Sequence, residues 1–112
     1  MEIDNSLKAF DALSQETRLW AFRILVQAGP QGLSAGEIAD SLGCLQNTMS
    51  THLKTLHQAG LVDIRKDGRS RIYTANFATI RELVLFLMQD CCAGSDDVCR
   101  PVAASLATAV DA

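Results

Sequence analysis

The chain has 112 residues, 48% of them hydrophobic and 21% charged, the balance of one soluble globular domain with a modest core, to which a second copy could usefully add burial. A formal net charge of −3 and a pI near 5.2 argue at first against a nucleic-acid partner, but the distribution reverses this. From Gln46 to Tyr73 five basic residues (Lys54, Arg65, Lys66, Arg69, Arg71) stand against two acidic ones (Asp63, Asp67), a local +3, while the other five basic and eleven acidic residues sum to −6.

Ile3, Leu7, Phe10 and Leu13 recur at helical spacing and predict a short first helix. Ser14 is expected to cap a second, running to about Ala28 with Leu19, Phe22, Leu25 and Val26 inward, until Gly29-Pro30 ends it. Trp20 reads as core or interface packing. The stretch LSAGEIADSLGCLQNTMSTHLKTLHQAGLV, Leu33 to Val62, has the pattern of two short helices joined by a tight turn. Ser34 and Glu37 have capping-box spacing, so the first of these should open at Ala35, with Ile38, Ala39 and Leu42 as its apolar stripe and Gly43 at the break. The second spans about Gln46 to Ala59. Its Met49, Leu53 and Leu56 face a core, while Gln46, Asn47, Ser50, Thr51 and Lys54 lie on the other side. Gly60 stops it, and LVDIRKDGRSRIYTA alternates as two strands about a turn expected at Asp67-Gly68. A last helix is predicted from about Phe77 to Cys91, capped by Asn76. Its Leu83–Met88 segment is apolar all round and needs cover on every side. That run is far too short to cross a bilayer. The tail from Ala93 onward is expected to be loosely ordered or to form one weak helix.

A helix-turn-helix followed by a basic hairpin is a winged helix, and the fold class expected is mainly α with a small β-hairpin. ALSQETRLWAFRILV, EIADSLG, QNTMSTHLKTLHQAGLV and the wing IRKDGRSRIYTA together resemble the ArsR/SmtB metalloregulatory repressors over roughly residues 7 to 92. The resemblance implies a homodimer built from the N- and C-terminal helices. Leu45 departs from it, because many members carry a small polar residue there, and Gln46 or Asn47 is then expected to cap the recognition helix. The expected division is a winged helix DNA-binding and dimerisation domain over 1–92, followed by a tail over 93–112 carrying part of the inducer site.

CCAGSDDVC clusters Cys91, Cys92 and Cys99 where a packed core would scatter single cysteines. Thiolate donors select soft ions, and three sulfurs suit the pyramidal geometry of As(III) or Sb(III), whereas zinc prefers a fourth ligand and no histidine is near in sequence. The resemblance points the same way, since arsenic-responsive members include a paired cysteine at the end of the last helix with a third shortly after. Cd(II), Pb(II) or thiol oxidation through the same residues is the alternative. Asp90, Asp96 and Asp97 read as a solvated loop. Cys44 stands alone, without the paired-cysteine motif that many arsenic sensors place at the DNA-proximal helix, and reads as a small buried residue of the turn. The zinc-sensor pattern on the last helix is absent too, since Phe77 to Asp90 holds no histidine.

Nothing in the sequence resembles a nucleophile with its base, a phosphate loop or paired catalytic carboxylates, so neither an enzyme nor an organic cofactor is expected. The residues expected to touch DNA are Gln46, Asn47, Thr48, Ser50, Thr51, His52, Lys54, Arg65, Lys66, Arg69 and Arg71. Gln46, Asn47, Ser50 and Thr51 are the candidates for bases; Lys54 and the four arginine and lysine residues of the wing are candidates for phosphates and the minor groove. A two-fold dimer calls for an operator of double-stranded DNA shaped as an imperfect inverted repeat, with half-sites about one helical turn or a multiple apart. The polar, acidic start MEIDNSLKAF lacks the basic segment and apolar run of an export signal, so a cytoplasmic protein with no membrane partner is expected. In that compartment four cysteines are thiols or ligands rather than structural disulfides.

Overall fold

The computed structural model of the chain describes residues 1–89 and 99–111. Its elements run α1 (Ile3–Leu13), α2 (Glu16–Ala28), a single 3-10 turn (Gly29–Gln31), β1 (Leu33–Ser34), α3 (Ala35–Leu42), α4 (Gln46–Gln58), β2 (Val62–Asp67), β3 (Ser70–Ala75), α5 (Phe77–Met88) and α6 (Cys99–Asp111). This is the expected winged helix-turn-helix, with one strand more than the hairpin. Leu33 and Ser34 pair antiparallel with Tyr73 and Ile72, giving a sheet ordered β1-β3-β2. Two residues carry no readable alternation, so β1 is invisible until β3 is there to pair with it. Gly32 makes the approach feasible. Its φ is +71°, and a Cβ there would lie 2.5 Å from the Tyr73 carbonyl oxygen.

The helix ends explain most of the local architecture. Ser34 and Glu37 form the reciprocal capping box at the start of α3, each side chain bonded to the other's backbone N–H. The Ser34 amide first, and its hydroxyl second, hold the Glu37 carboxyl below the usual carboxylate range. α3 and α4 both finish in paired six-to-one and five-to-two hydrogen bonds: Cys44 N–H to the Ala39 carbonyl with Gly43 to Asp40, and Leu61 to Leu56 with Gly60 to His57. Gly43 and Gly60, at φ +66° and +80°, supply the left-handed residue this motif needs.

Several boundaries differ from the expectation. Gln15, not Ser14, caps α2 by accepting from the Arg18 N–H; the Ser14 hydroxyl donates back to the Asp11 carbonyl instead. A β-hairpin turn is set by its closing pair. Asp67 pairs with Ser70, so the turn is Gly68-Arg69 and Asp67 still belongs to the strand. The last predicted helix, α5, ends at Met88, with Gln89 at φ −59°, ψ 128°, rather than reaching Cys91. Cys91 and Cys92 lie outside the described residues, as do Asp90, Asp96 and Asp97. The tail contributes a helix of its own, α6.

The core gathers on the inner faces of α2, α3, α4 and the sheet. Leu25, Ile38, Met49, Leu53, Leu56, Leu61 and Val62 are all fully enclosed. From α2 it takes Ala21, Phe22 and Leu25, while Leu19 and Val26, expected inward, are exposed. α1 turns Ser6, Ala9 and Ala12 inward and leaves its larger residues Ile3, Leu7 and Phe10 in solvent. α5 buries Leu83 but exposes Val84, Leu85 and Leu87. The helical periodicity was legible at α1, but the side facing the core belongs to the small residues Ser6, Ala9 and Ala12.

Candidate nucleic-acid interface

α4 places its apolar residues Met49, Leu53 and Leu56 into the core, which fixes its opposite face outward at the helical period. Ser50, Lys54 and His57 follow one another along that face at four- and three-residue spacing. Across from them stands the wing, whose pairing Lys66↔Arg71 and Asp67↔Ser70 puts Arg69 on the two-residue turn and Arg71 at the start of β3. Between helix, wing and the start of α3 lies an open cleft of about 810 Å³, lined by Gln46, Ser50, Thr51, Lys54 and His57 of α4, by Ser34, Ala35 and Gly36, and by Ile64, Arg69, Ser70, Arg71 and Tyr73 of the sheet. None of these lining residues is acidic. A polar, cation-bearing concavity on an acidic body attracts phosphates locally without spreading positive charge over the molecule.

Six of the eleven residues expected to touch DNA therefore share one surface: Gln46, Ser50, Thr51, Lys54, Arg69 and Arg71. Asn47, Thr48 and Lys66 are exposed but do not line the cleft. His52 is half-buried, and burial first, then the positive charge of Arg18, lowers its pKa below the ordinary 6.5. Arg65 is engaged with the body. Its guanidinium donates to the Pro30 carbonyl at 3.3 Å and the Gln31 carbonyl at 3.0 Å, pinning the wing to the turn after α2. The Thr51 hydroxyl donates to the Asn47 carbonyl, which leaves it lone pairs for a base but no proton.

The structure adds His57 and Ser70 to the surface. His57 was legible as a structural or phosphate-contacting residue from its place on the recognition helix, though not among the residues expected to touch DNA; Ser70 becomes visible only once the register of the hairpin is known. Gln46 lies against the first turn of α3, its Oε1 3.4 Å from where a Cβ on Gly36 would sit. No side chain caps α4: Leu45 occupies the N-cap, not Gln46 or Asn47. Cys44, in the turn, is a half-buried free thiol packed at the edge of the core. Trp20 is not core but 48% exposed, with the Arg23 guanidinium 5.6 Å from its ring centroid, within cation–π range. No described helix is long and apolar enough to cross a membrane, and among the described residues no group of three or more His, Cys, Asp or Glu could hold a metal.

The start of α5 is tied to the end of this surface. The Thr79 hydroxyl donates to the Gly60 carbonyl at 2.8 Å and the Asn76 N–H to the Leu61 carbonyl at 2.8 Å. Asn76 also caps α5 by accepting from the Thr79 N–H.

Comparison with known proteins agrees with this geometry. Residues 13–65 match a helix-turn-helix domain family. Over 70 residues the chain is 41% identical to YceK of Bacillus subtilis, an uncharacterized HTH-type transcriptional regulator, covering 61% of this chain and 69% of that one. An ArsR-like transcriptional regulator from Rhodococcus superposes with a TM-score of 0.64 at 32% identity, over 75% of this chain and 76% of that one. The homodimeric winged helix-turn-helix DNA-binding domain of a possible ArsR-family regulator from Mycobacterium bovis gives 0.65 at 26% identity, over 76% and 77%. The chain belongs to the ArsR-like winged helix-turn-helix transcriptional regulators.

Proposed function

We propose that the protein is a homodimeric repressor acting in the cytoplasm, which binds an inverted-repeat operator when its thiols are empty and releases it on capturing As(III) or Sb(III) through Cys91, Cys92 and Cys99. The observation that carries the DNA-binding half is the cleft, where one helix face and one hairpin converge Gln46, Ser50, Thr51, Lys54, Arg69 and Arg71 without an acidic neighbour in its lining. On this reading Gln46, Asn47, Ser50 and Thr51 meet bases and the cations meet phosphate. Dimerisation is supported by the apolar residues that α1 and α5 leave in solvent and by the homodimeric state of the Mycobacterium bovis domain.

The inducer half is supported by the sequence CCAGSDDVC and the affinity of thiolates for soft metalloids. Cys91 and Cys92 follow α5, and Cys99 opens α6, so an ion held by all three would clamp the ends of these two helices together. α5 is anchored to the end of the recognition helix through Thr79 and Asn76, and a clamp at its far end can therefore shift α4. A coupling of roughly 1 to 3 kcal/mol would lower DNA affinity by about 5- to 150-fold, and DNA would weaken As(III) binding by the same factor.

The test is DNA affinity of the purified full chain, by fluorescence anisotropy on a duplex enriched from a random pool, with and without arsenite. Antimonite, Cd(II), Pb(II) and peroxide form parallel arms. Cys91→Ser, Cys92→Ser and Cys99→Ser should bind as well as the parent but fail to release with arsenite; Cys44→Ser should release normally. Normal release by both Cys91→Ser and Cys92→Ser would sink the switch, and arsenite-insensitive Cys44→Ser would move it into the helix-turn-helix. Release by Cd(II), Pb(II) or peroxide but not arsenite would replace the inducer.

A further inference from the structure

Among the described residues, Leu45 is the large apolar side chain most given over to solvent, at 76% exposure against at most 61% for any other. It stands at the N-cap of α4 with φ −74° and ψ 144°, the extended conformation from which Ser, Thr or Asp would accept a hydrogen bond from the Thr48 N–H. Leucine can accept nothing. Two local rules are thus broken at one position: the helix start is uncapped and a leucine faces water. Coinciding violations of this kind are expected where function offsets them. Leu45 directly precedes Gln46, which lines the cleft, and a recognition helix meets base edges with its N-terminal residues. The major-groove edges of the four base pairs offer one methyl group, that on C5 of thymine.

We propose that Leu45 is a specificity-determining residue, its side chain packing against the C5-methyl of a thymine in each half-site. The inference rests on the reading of α4 as the DNA-recognition helix, and its test separates the two. Duplexes are enriched from a random pool by the full chain, and each thymine of the enriched site is replaced in turn by uracil, which lacks only that methyl. At one symmetric pair of positions uracil should weaken parent binding by about fourfold per half-site, the effect of one buried methyl group. Leu45→Ser should bind thymine and uracil there alike, and Leu45→Met, which keeps an apolar contact, should retain part of the difference. Leu45→Ser should also raise the midpoint of thermal unfolding by several degrees, because the hydroxyl restores the missing cap. A residue that merely supports the fold would lower it. Parent and Leu45→Ser showing the same uracil sensitivity at every thymine, or none, would overturn the role of Leu45 while leaving DNA recognition by α4 intact. Failure of the parent to enrich any sequence would overturn that reading, and this inference with it.

Discussion

At the scale of single residues, backbone geometry and electrostatic surroundings separate positions that look alike in the sequence. Gly32 and Gly43 both adopt positive φ, but only Gly32 meets other atoms, with the Tyr73 carbonyl 2.5 Å from a Cβ and open space around Gly43. Gly43→Ala should cost about 1 to 2 kcal/mol from the left-handed backbone alone, and Gly32→Ala about 2 to 4 kcal/mol once overpacking against β3 is added. Urea unfolding of the two variants at one protein concentration measures this, and equal losses would refute the steric part. His52 gives a pH effect. Burial first and Arg18 second lower its pKa from 6.5, so below that pH the unfolded chain takes up a proton that the folded chain resists. The stabilisation from keeping His52 neutral is whole above 6.5 and is lost as pH falls toward the depressed folded value. The parent should lose stability relative to His52→Gln as pH drops from about 7 to about 5; a constant or widening advantage for the parent would contradict it.

At the scale of elements, the wing holds two kinds of arginine. Arg69 and Arg71 line the cleft, whereas Arg65 is bonded to the Pro30 and Gln31 carbonyls. Replacing Arg69 and Arg71 together with Ala should weaken operator and random DNA alike. The slope of log affinity against log salt should shrink by about 3.6 for the dimer, two arginines in each protomer at roughly 0.9 per phosphate. Arg65→Ala should instead cost about 1 kcal/mol of folding stability and leave that slope nearly unchanged. Parallel salt titrations decide it: an equal drop for Arg65→Ala would make it a phosphate ligand, and a double variant that lost sequence discrimination but kept affinity would make the wing a base reader.

At the scale of the whole molecule, the exposed faces of α1 and α5 dominate. Leu7 is 58% and Leu85 60% exposed, and neither serves the monomer's own core, so a charge at either should disturb association rather than folding. Sedimentation should show Leu7→Glu and Leu85→Glu shifted from dimer toward monomer, with helical circular dichroism retained. DNA affinity should fall with them, because each half-site is then bound alone. Dimers with the parent's dissociation constant would place the interface elsewhere.

The sequence by itself determined the helix-turn-helix and wing, because capping box, glycine stops and the alternation of the hairpin are local and each is satisfied within a few residues. It also showed that α1 is helical, that α4 has a polar outer face and that cations gather near it. What it could not determine depended on partners distant along the chain. β1 exists because Tyr73 and Ile72 pair with it; Arg65 is hydrogen-bonded to carbonyls more than thirty residues away; Leu19, Val26 and Trp20 lie outside because Ala21, Phe22 and Leu25 already fill the side of α2 that meets the core. Periodicity reveals that a helix has an apolar side, but only packing decides whether that side meets the chain's own core or is left for something else.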